Sequence, residues 1–454
     1  MKDTSLIIAR SVSSLQRFLY LLIAAFVLLW PAIWNGYPLV FSDTGTYIAS
    51  AFEQNVPFDR PIGYGDFIQF FSQGISLWLV VYAQAFFAVY LLWQVVKMFF
   101  EKKHYTAHFL LTVVLALYTT LPWMTSQIMP DIFTGLLFLI VVVFVFAERS
   151  WFERFVLIVL MMIFLITHTA NFVLCVAMLV VMGCVVLLFK TFKNSKKTYL
   201  LRLATMLVVS LFGPAFFIAT NYHEGYGITV SPSSSVFMMA RMSDAGIIQN
   251  FLAEHCGTET YYLCKFQTYI PSGETFLWDD KSPTNLAGWK SVKDEYQKIL
   301  SRIFAEPKYL LSFAFDSFGR SARLFFMTGL ESYMRYGEAG PIYIQVKKYF
   351  PHELAQYIGA RQYQGFFESV TGFYVVFSGA FYVSAMFILF MVYRKETKFM
   401  ETWLFAFVFV FLVLNAVLLA TLSGDYGRYQ ERVVWLMGLC AAMICLKKLF
   451  KFKV

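Results

Sequence analysis

"RFLYLLIAAFVLLWPAIWNGYPLVFSDTGTYIAS", residues 17–50, sets how the rest of the chain is read. An uncharged apolar run, Phe18–Trp34, is followed within a few residues by Asp43, Thr44, Thr46 and Tyr47. A run of that length and purity reads as a membrane-spanning helix. It carries no small-residue cleavage site, so it reads as an anchor rather than a removable leader. A carboxylate just past such a span lies at a membrane face, and its purpose is the question the remaining sequence must answer.

The same apolar character recurs along all 454 residues. Hydrophobic residues make up 59%, aromatic residues 19% and charged residues only 14%, with mean hydropathy +0.61. Soluble domains carry about 25% charged residues. The expected fold class is therefore an all-α polytopic membrane protein. The pattern predicts ten spans, at 18–36, 77–99, 105–123, 131–147, 154–167, 171–189, 203–221, 368–393, 401–422 and 432–448. The net charge of +9 does not signal nucleic acid, because most Lys and Arg sit in short segments between apolar runs.

Those basic residues set the orientation. One side collects Lys2, Arg10, Arg17, Lys97, Lys102, Lys103, Arg149, Arg154, Lys190, Lys193, Lys196, Lys197, Arg202, Arg394, Lys395, Lys398, Lys447, Lys448, Lys451 and Lys453. Short loops of the other side offer Arg60, Arg428 and Arg432. Both termini are expected to be cytoplasmic. The stretch after span one, the loop 122–131, the turn 167–171, the segment 222–367 and the loop 423–431 then face outward. This divides the chain into an N-terminal transmembrane module with functional outer loops (1–221), an extracytoplasmic or interfacial segment (222–367) and a C-terminal transmembrane module (368–454).

Cys175, Cys184, Cys440 and Cys445 lie in apolar runs and read as inert thiols. Cys256 and Cys264, in "HCGTETYYLC", are expected to pair as a disulfide outside the cytoplasm. In the long segment, 288–304 and 306–328 read as helices. The second carries Asp316, Arg320 and Arg323, and is expected to lie at the membrane interface. There is no internal repeat, Walker A motif, Gly-rich nucleotide fingerprint or HExxH.

The outward loops hold the candidate chemistry. Thr44–Glu53 is expected to form a short helix, and Asp43 is either its N-cap or a catalytic group. "DRPIGYGDF", 59–67, is expected to be a structured turn carrying Arg60 and Tyr64. Asp131 follows Pro130 at a helix start, where a carboxylate also suits the helix dipole. His168 ends one apolar run, and His223 closes another beside Glu224. No second histidine stands at ligand spacing, so no metal is expected. Arg428 and Arg432 are four apart and share a helical face; they either pair locally with Asp425 and Glu431 or bind phosphate, for which the guanidinium fork is suited.

The order of these features resembles the C-class glycosyltransferases of membranes, which use polyprenyl-phosphate sugars. The resemblance rests on Asp43 in "FSDTGTYIASAF", the turn "FDRPIGYGDFI", Asp131 in "MPDIFTG", and Arg428 and Arg432 in "GDYGRYQERVVW". The turn lacks the double proline common in some members, and 222–367 matches no soluble sugar-binding domain. The resemblance implies Asp43 as general base and Asp131 as an orienting carboxylate. It also implies phosphate or substrate contacts from Arg60, Tyr64, His168, His223, Arg428 and Arg432, with no cofactor. The implied partners are a polyprenyl-phosphate-linked sugar, membrane lipids and an extracytoplasmic lipid, glycan or protein acceptor, in a bacterial inner membrane. A lipid-linked acyl or phosphate-group transferase using His168 with Asp43 is a competing reading. So is a transporter or flippase, although transporters concentrate charge inside their spans. A structural subunit that docks partners through 222–367 is a third.

Overall fold

The computed structural model describes residues 2–100, 104–331, 333–369 and 371–451, with side chains from 15 to 450 within that set. Lys102, Lys103 and Lys453 fall outside it, as do the side chains of Lys2, Arg10 and Lys451. The described residues are helical without a strand; Leu39 and Gln127 form one isolated bridge.

The first apolar run is two helices. α1 (Lys2–Val27) stops at a turn, and α2 (Trp30–Asn35) starts with Pro31 in its first turn, where a missing N–H costs nothing. Gly36 ends α2 at φ 87°, a left-handed conformation that suits glycine. α3 (Thr44–Glu53) has the expected bounds. The turn expected at 59–67 is shorter: α4 (Gly63–Ser72) begins inside it. A Cβ on Gly63 would strike the backbone of Ile166, and one on Gly65 would strike Ser50. These glycines permit close helix packing rather than breaking a helix.

α5 (Trp78–Phe99), α6 (His104–Tyr118), α7 (Leu121–Ser126), α8 (Ile132–Phe146), α9 (Trp151–Ile166), α10 (Thr169–Leu188), α11 (Lys196–Ser210) and α12 (Phe212–His223) follow. The run 105–123 divides at Thr119 and Thr120, whose hydroxyls donate to the carbonyls of Leu115 and Glu431. Ser150 and Glu153 close a capping box at the start of α9. Every residue of α8 is buried, as expected for a helix apolar on all sides.

The long segment contains α13 (Ser234–Asp244), α14 (Ile247–His255), α15 (Gly273–Trp278), α16 (Pro283–Ala287), α17 (Trp289–Ala305), α18 (Pro307–Phe325), α19 (Pro341–Tyr349) and α20 (Leu354–Gly359). Cys256 and Cys264 form a disulfide with Cα atoms 5.7 Å apart. The segment does not share one core. Residues from Val236 to Phe313 enclose an apolar core of their own, around Met239, Phe251, Tyr296 and Ile299. From Leu324 to Phe367 the buried residues instead join the main helical core.

The last helices are α21 (Thr371–Tyr393), α22 (Phe399–Leu422) and α23 (Arg428–Lys451). Among the described residues, six helical stretches are long and apolar enough to cross a membrane: α5, α10, Lys190–His223, α21, α22 and Arg428–Phe450. Leu15–Val27, α6 and α8 are shorter apolar helices. The chain is thus an α-helical, multi-pass membrane protein by these elements.

α18 runs antiparallel along α22, from the level of Ser317 and Ala420, both bonded to Arg241, down to Phe325 beside Phe409. Its four charges are all paired, Lys308 with Glu254. Fully buried Arg241 meets Asp316 at 2.5 Å, and its Nε donates to the Ala420 carbonyl at 2.8 Å. Arg320 contacts Asp244 at 2.6 Å, Asp425 at 2.7 Å and Asp316 at 3.0 Å. Arg323 reaches Asp425 at 2.7 Å. This network ties the α13–α18 module to the loop between α22 and α23.

Candidate functional site

Asp43 occupies the N-cap position of α3, yet its side chain makes no capping bond. Thr44 handles the local polar groups: its Oγ1 accepts from the Phe41 N–H at 2.9 Å and donates to the Ile128 carbonyl at 3.0 Å. The Asp43 carboxylate instead lies 3.1 Å from Arg60 and 3.5 Å from Arg428. A quarter of the side chain remains exposed, so it lines an open recess. Burial opposes its ionisation, but the two guanidiniums outweigh that and hold the carboxyl below the usual carboxylate range.

Asp131 repeats the arrangement. It precedes α8 at the N-cap position, again without a capping bond, and faces Arg432 at 3.6 Å. Arg432 is wholly buried, and its Nη2 donates to Asn415 Oδ1 at 2.9 Å. Neither arginine of α23 uses its local acid. Asp425 is taken by Arg320 and Arg323, and Glu431 accepts from the Glu331 N–H at 3.2 Å and from the Tyr333 hydroxyl at 3.4 Å. Helical spacing then does what it should: Arg428 and Arg432 face the same way, one toward Asp43 and the other toward Asp131.

Aromatic rings frame the cations. Arg428 lies 4.1 Å from the Phe41 ring centre, and Arg60 lies 5.2 Å from that of Tyr47. Asp59 binds Arg60 from the far side at 2.6 Å. The Nη1 atoms of Arg60 and Arg432 are buried and make no aligned hydrogen bond among the described residues, despite the carboxylates nearby. Each nonetheless sits against a carboxylate, at 3.1 Å from Asp43 Oδ1 and 3.6 Å from Asp131 Oδ1.

His168 caps α10: its Nδ1 accepts from the Ala170 N–H at 3.1 Å. Burial first, then the charge of Arg432, lowers its pKa to about 4. The ring is neutral at pH 7, with its proton on Nε2. A gap of about 10 Å³, room for a single water, lies one turn deeper, between α8, α10 and α22. Thr134 and Asn171, joined at 2.8 Å, form its polar end. Leu137, Phe138, Met178 and Phe411 line the rest.

Two expected residues stand apart. Tyr64 is fully buried with its hydroxyl donating to Gln84 at 2.7 Å, facing the core and not the recess. His223 is exposed at the end of α12. The free thiols also divide: Cys175 and Cys440 are buried, whereas Cys184 and Cys445 are exposed. The sequence reading missed Phe41 and Asn415. Asn415, an uncharged polar residue inside the apolar run of α22, was the one with a visible signal.

Comparison of the chain with protein-family models, curated proteins and solved structures returns no match in any of the three.

Proposed function

We propose that this chain is a membrane glycosyltransferase that moves a sugar from a polyprenyl-phosphate donor to an extracytoplasmic acceptor. The observation that carries this reading is an ionised Asp43, freed from helix capping and held between Arg60 and Arg428 in an open recess. The guanidiniums of Arg60, Arg428 and Arg432, paired with Asp43 and Asp131 only at 3.1–3.6 Å, suit phosphate oxygens.

In this mechanism Asp43 takes the proton of the acceptor hydroxyl. The acceptor oxygen bonds to the anomeric carbon as the bond from that carbon to the phosphate oxygen breaks. The electron pair leaves on the lipid phosphate, whose charge meets Arg60, Arg428 and Arg432. A phosphate that draws the arginines toward itself raises the basicity of Asp43 when the base is needed. Asp131 anchors Arg432, and neutral His168 offers an Nε2–H donor. A histidine base for acyl transfer fits less well, because Nδ1 is committed to α10 and the ring is weakly basic.

The proposal includes the C-class fold with ten spans, both termini in the cytoplasm of a bacterial inner membrane, and the recess facing outward. The test is turnover in nanodiscs with a panel of radiolabelled polyprenyl-phosphate sugars and a membrane lipid extract as acceptor source. Wild type should transfer label and Asp43→Asn should not, with lipid-phosphate binding retained. Equal turnover by both proteins would remove Asp43 as base; transfer of acyl or phosphate groups instead of sugar would overturn the reaction class.

A further inference from the structure

α18 bares one side. Tyr309, Phe313, Ser317, Ser321 and Leu324 face the protein. Opposite them Phe315 is 76% exposed, Phe318 77% and Phe326 59%, with Ala314 and Ala322 exposed between them. A contiguous apolar patch marks a partner or a membrane surface. We infer that α18 is the descending limb of a re-entrant hairpin that reaches mid-membrane from the recess side. Its exposed face then meets the acyl chains of that leaflet. This inference is independent of the transfer chemistry proposed above.

Depth follows from the two spans that α18 touches. Antiparallel packing along α22 sets it upright, whereas a helix lying flat at the interface would cross α22. Ser317 stands near Ala420, at the recess end of α22, and Phe325 stands against Phe409 with ring centres 5.8 Å apart. Ala420 to Phe409 is about 16 Å of helix, half of a hydrocarbon core of about 30 Å. α21 gives the same depth independently: the hydroxyl of Tyr382, midway along that span, donates to the Phe326 carbonyl at 3.3 Å. The chain then climbs back. Thr328 donates to Ser378 at 3.1 Å, and the Tyr333 N–H donates at 3.1 Å to the carbonyl of Phe367, just before α21 begins.

The two limbs differ as lipid demands. Irregular backbone is tolerated at membrane depth only where protein covers it. The helical limb, hydrogen-bonded within itself, carries the exposed face. The returning limb is buried at Thr328, Gly329 and Leu330, and a Cβ on Gly329 would strike the Tyr374 ring. The charges of the descending limb turn upward: Arg320 and Arg323 both reach Asp425, beyond the recess end of α22, and Asp316 pairs with Arg320. Continuity identifies what covers the bare face. Phe409 of α22 is itself 45% exposed beside Phe325, so the surface of α18 extends that of a membrane span.

Two measurements on the full chain in phosphatidylcholine proteoliposomes test this. Cys184→Ala and Cys445→Ala first remove the exposed native thiols. Nitroxides are then placed singly through Phe315→Cys, Phe318→Cys and Phe326→Cys, and their depth is read from the ratio of oxygen to nickel-chelate accessibility. Thermal unfolding checks each labelled chain, and Ala322→Cys, also at an exposed position, replaces any that does not fold. Depth should increase along the series, with 326 about 16 Å deeper than 315. Equal shallow depths, or free access to the nickel chelate, would overturn the inference. The second measurement separates a hairpin from a complete crossing. Ser312 and Met334, both exposed, flank the dipping segment. A chain carrying Ser312→Cys and Met334→Cys together is treated with a membrane-impermeant maleimide, and its intact mass is recorded. A hairpin puts both thiols on one side, so each molecule gains two labels or none, whichever way it inserted. One label on every molecule would make α18 a crossing helix and overturn the hairpin.

Discussion

The molecule holds two clusters of three arginines and three aspartates, built to opposite ends. One joins Arg60, Arg428 and Arg432 with Asp43, Asp59 and Asp131. The other joins Arg241, Arg320 and Arg323 with Asp244, Asp316 and Asp425. In the second cluster the closest contacts are 2.5–2.7 Å, and the spare Arg241 Nη1 belongs to a guanidinium lying against the Phe313 ring. In the first, Asp43 and Asp131 stand 3.1–3.6 Å from their arginines, while Asp59 binds Arg60 at 2.6 Å. Identical composition thus makes a tight clamp in one place and a looser array around Asp43 and Asp131 in the other. Pairing distance separates the two.

The sharpest way to break this comparison is to disable each cluster and measure both activity and stability. Asp43→Asn should cut transfer about 10²–10⁴-fold while changing unfolding free energy by no more than about 1 kcal/mol. An equal loss of both would make the first cluster structural as well. Arg241→Ala should do the reverse. Removing one partner of a buried pair costs about 3–5 kcal/mol, read as a fall in thermal midpoint, with turnover per folded molecule preserved.

The disulfide gives a smaller effect in the same module. Cys256→Ser opens a short loop and should destabilise the α13–α18 core by about 2–3 kcal/mol, seen as faster proteolysis there and unchanged Asp43 chemistry. Acid titration probes the site more gently. Asp43 is held below the usual aspartate value of about 3.9, so its ion-pair stabilisation is full above that pH and disappears only as pH falls through the lower folded value. The acid limb of kcat/KM should lie below the ordinary carboxylate range, and Arg60→Gln should move it upward. A limb that ignores Arg60 would detach Asp43 from catalysis. Least of all, Arg323→Ala should cost under about 1 kcal/mol, because its side chain is largely exposed.

Local pattern carried parts of this architecture. α3 has the expected ends because its cap and turn signals are contiguous in sequence, and α17 and α18 were legible for the same reason. The site residues themselves were visible as polar groups in otherwise apolar surroundings. Their pairing was not. Local spacing favours Arg428 with Asp425, but Asp425 is claimed by α18 and Arg428 pairs with Asp43, 385 positions away. Nothing in a single sequence encodes such a contact, which depends on how α23 packs between distant helices. The two glycines of the 59–67 turn misled for a related reason: their role is close helix approach, and only the neighbours Ile166 and Ser50 reveal it.

The division of the long segment governs how the chain can be taken apart. A fragment cut at 222 and 367 would carry Leu330, Tyr333, Phe350 and Phe367 into water, since those side chains belong to the helical bundle. A cut near 313 would sever α18, a single rod about 28 Å long whose first half completes one core and whose last residues complete the other. The protein has two cores but no hinge between them to cleave, so expression of the outer portion as a free-standing reagent requires redesign of that shared helix.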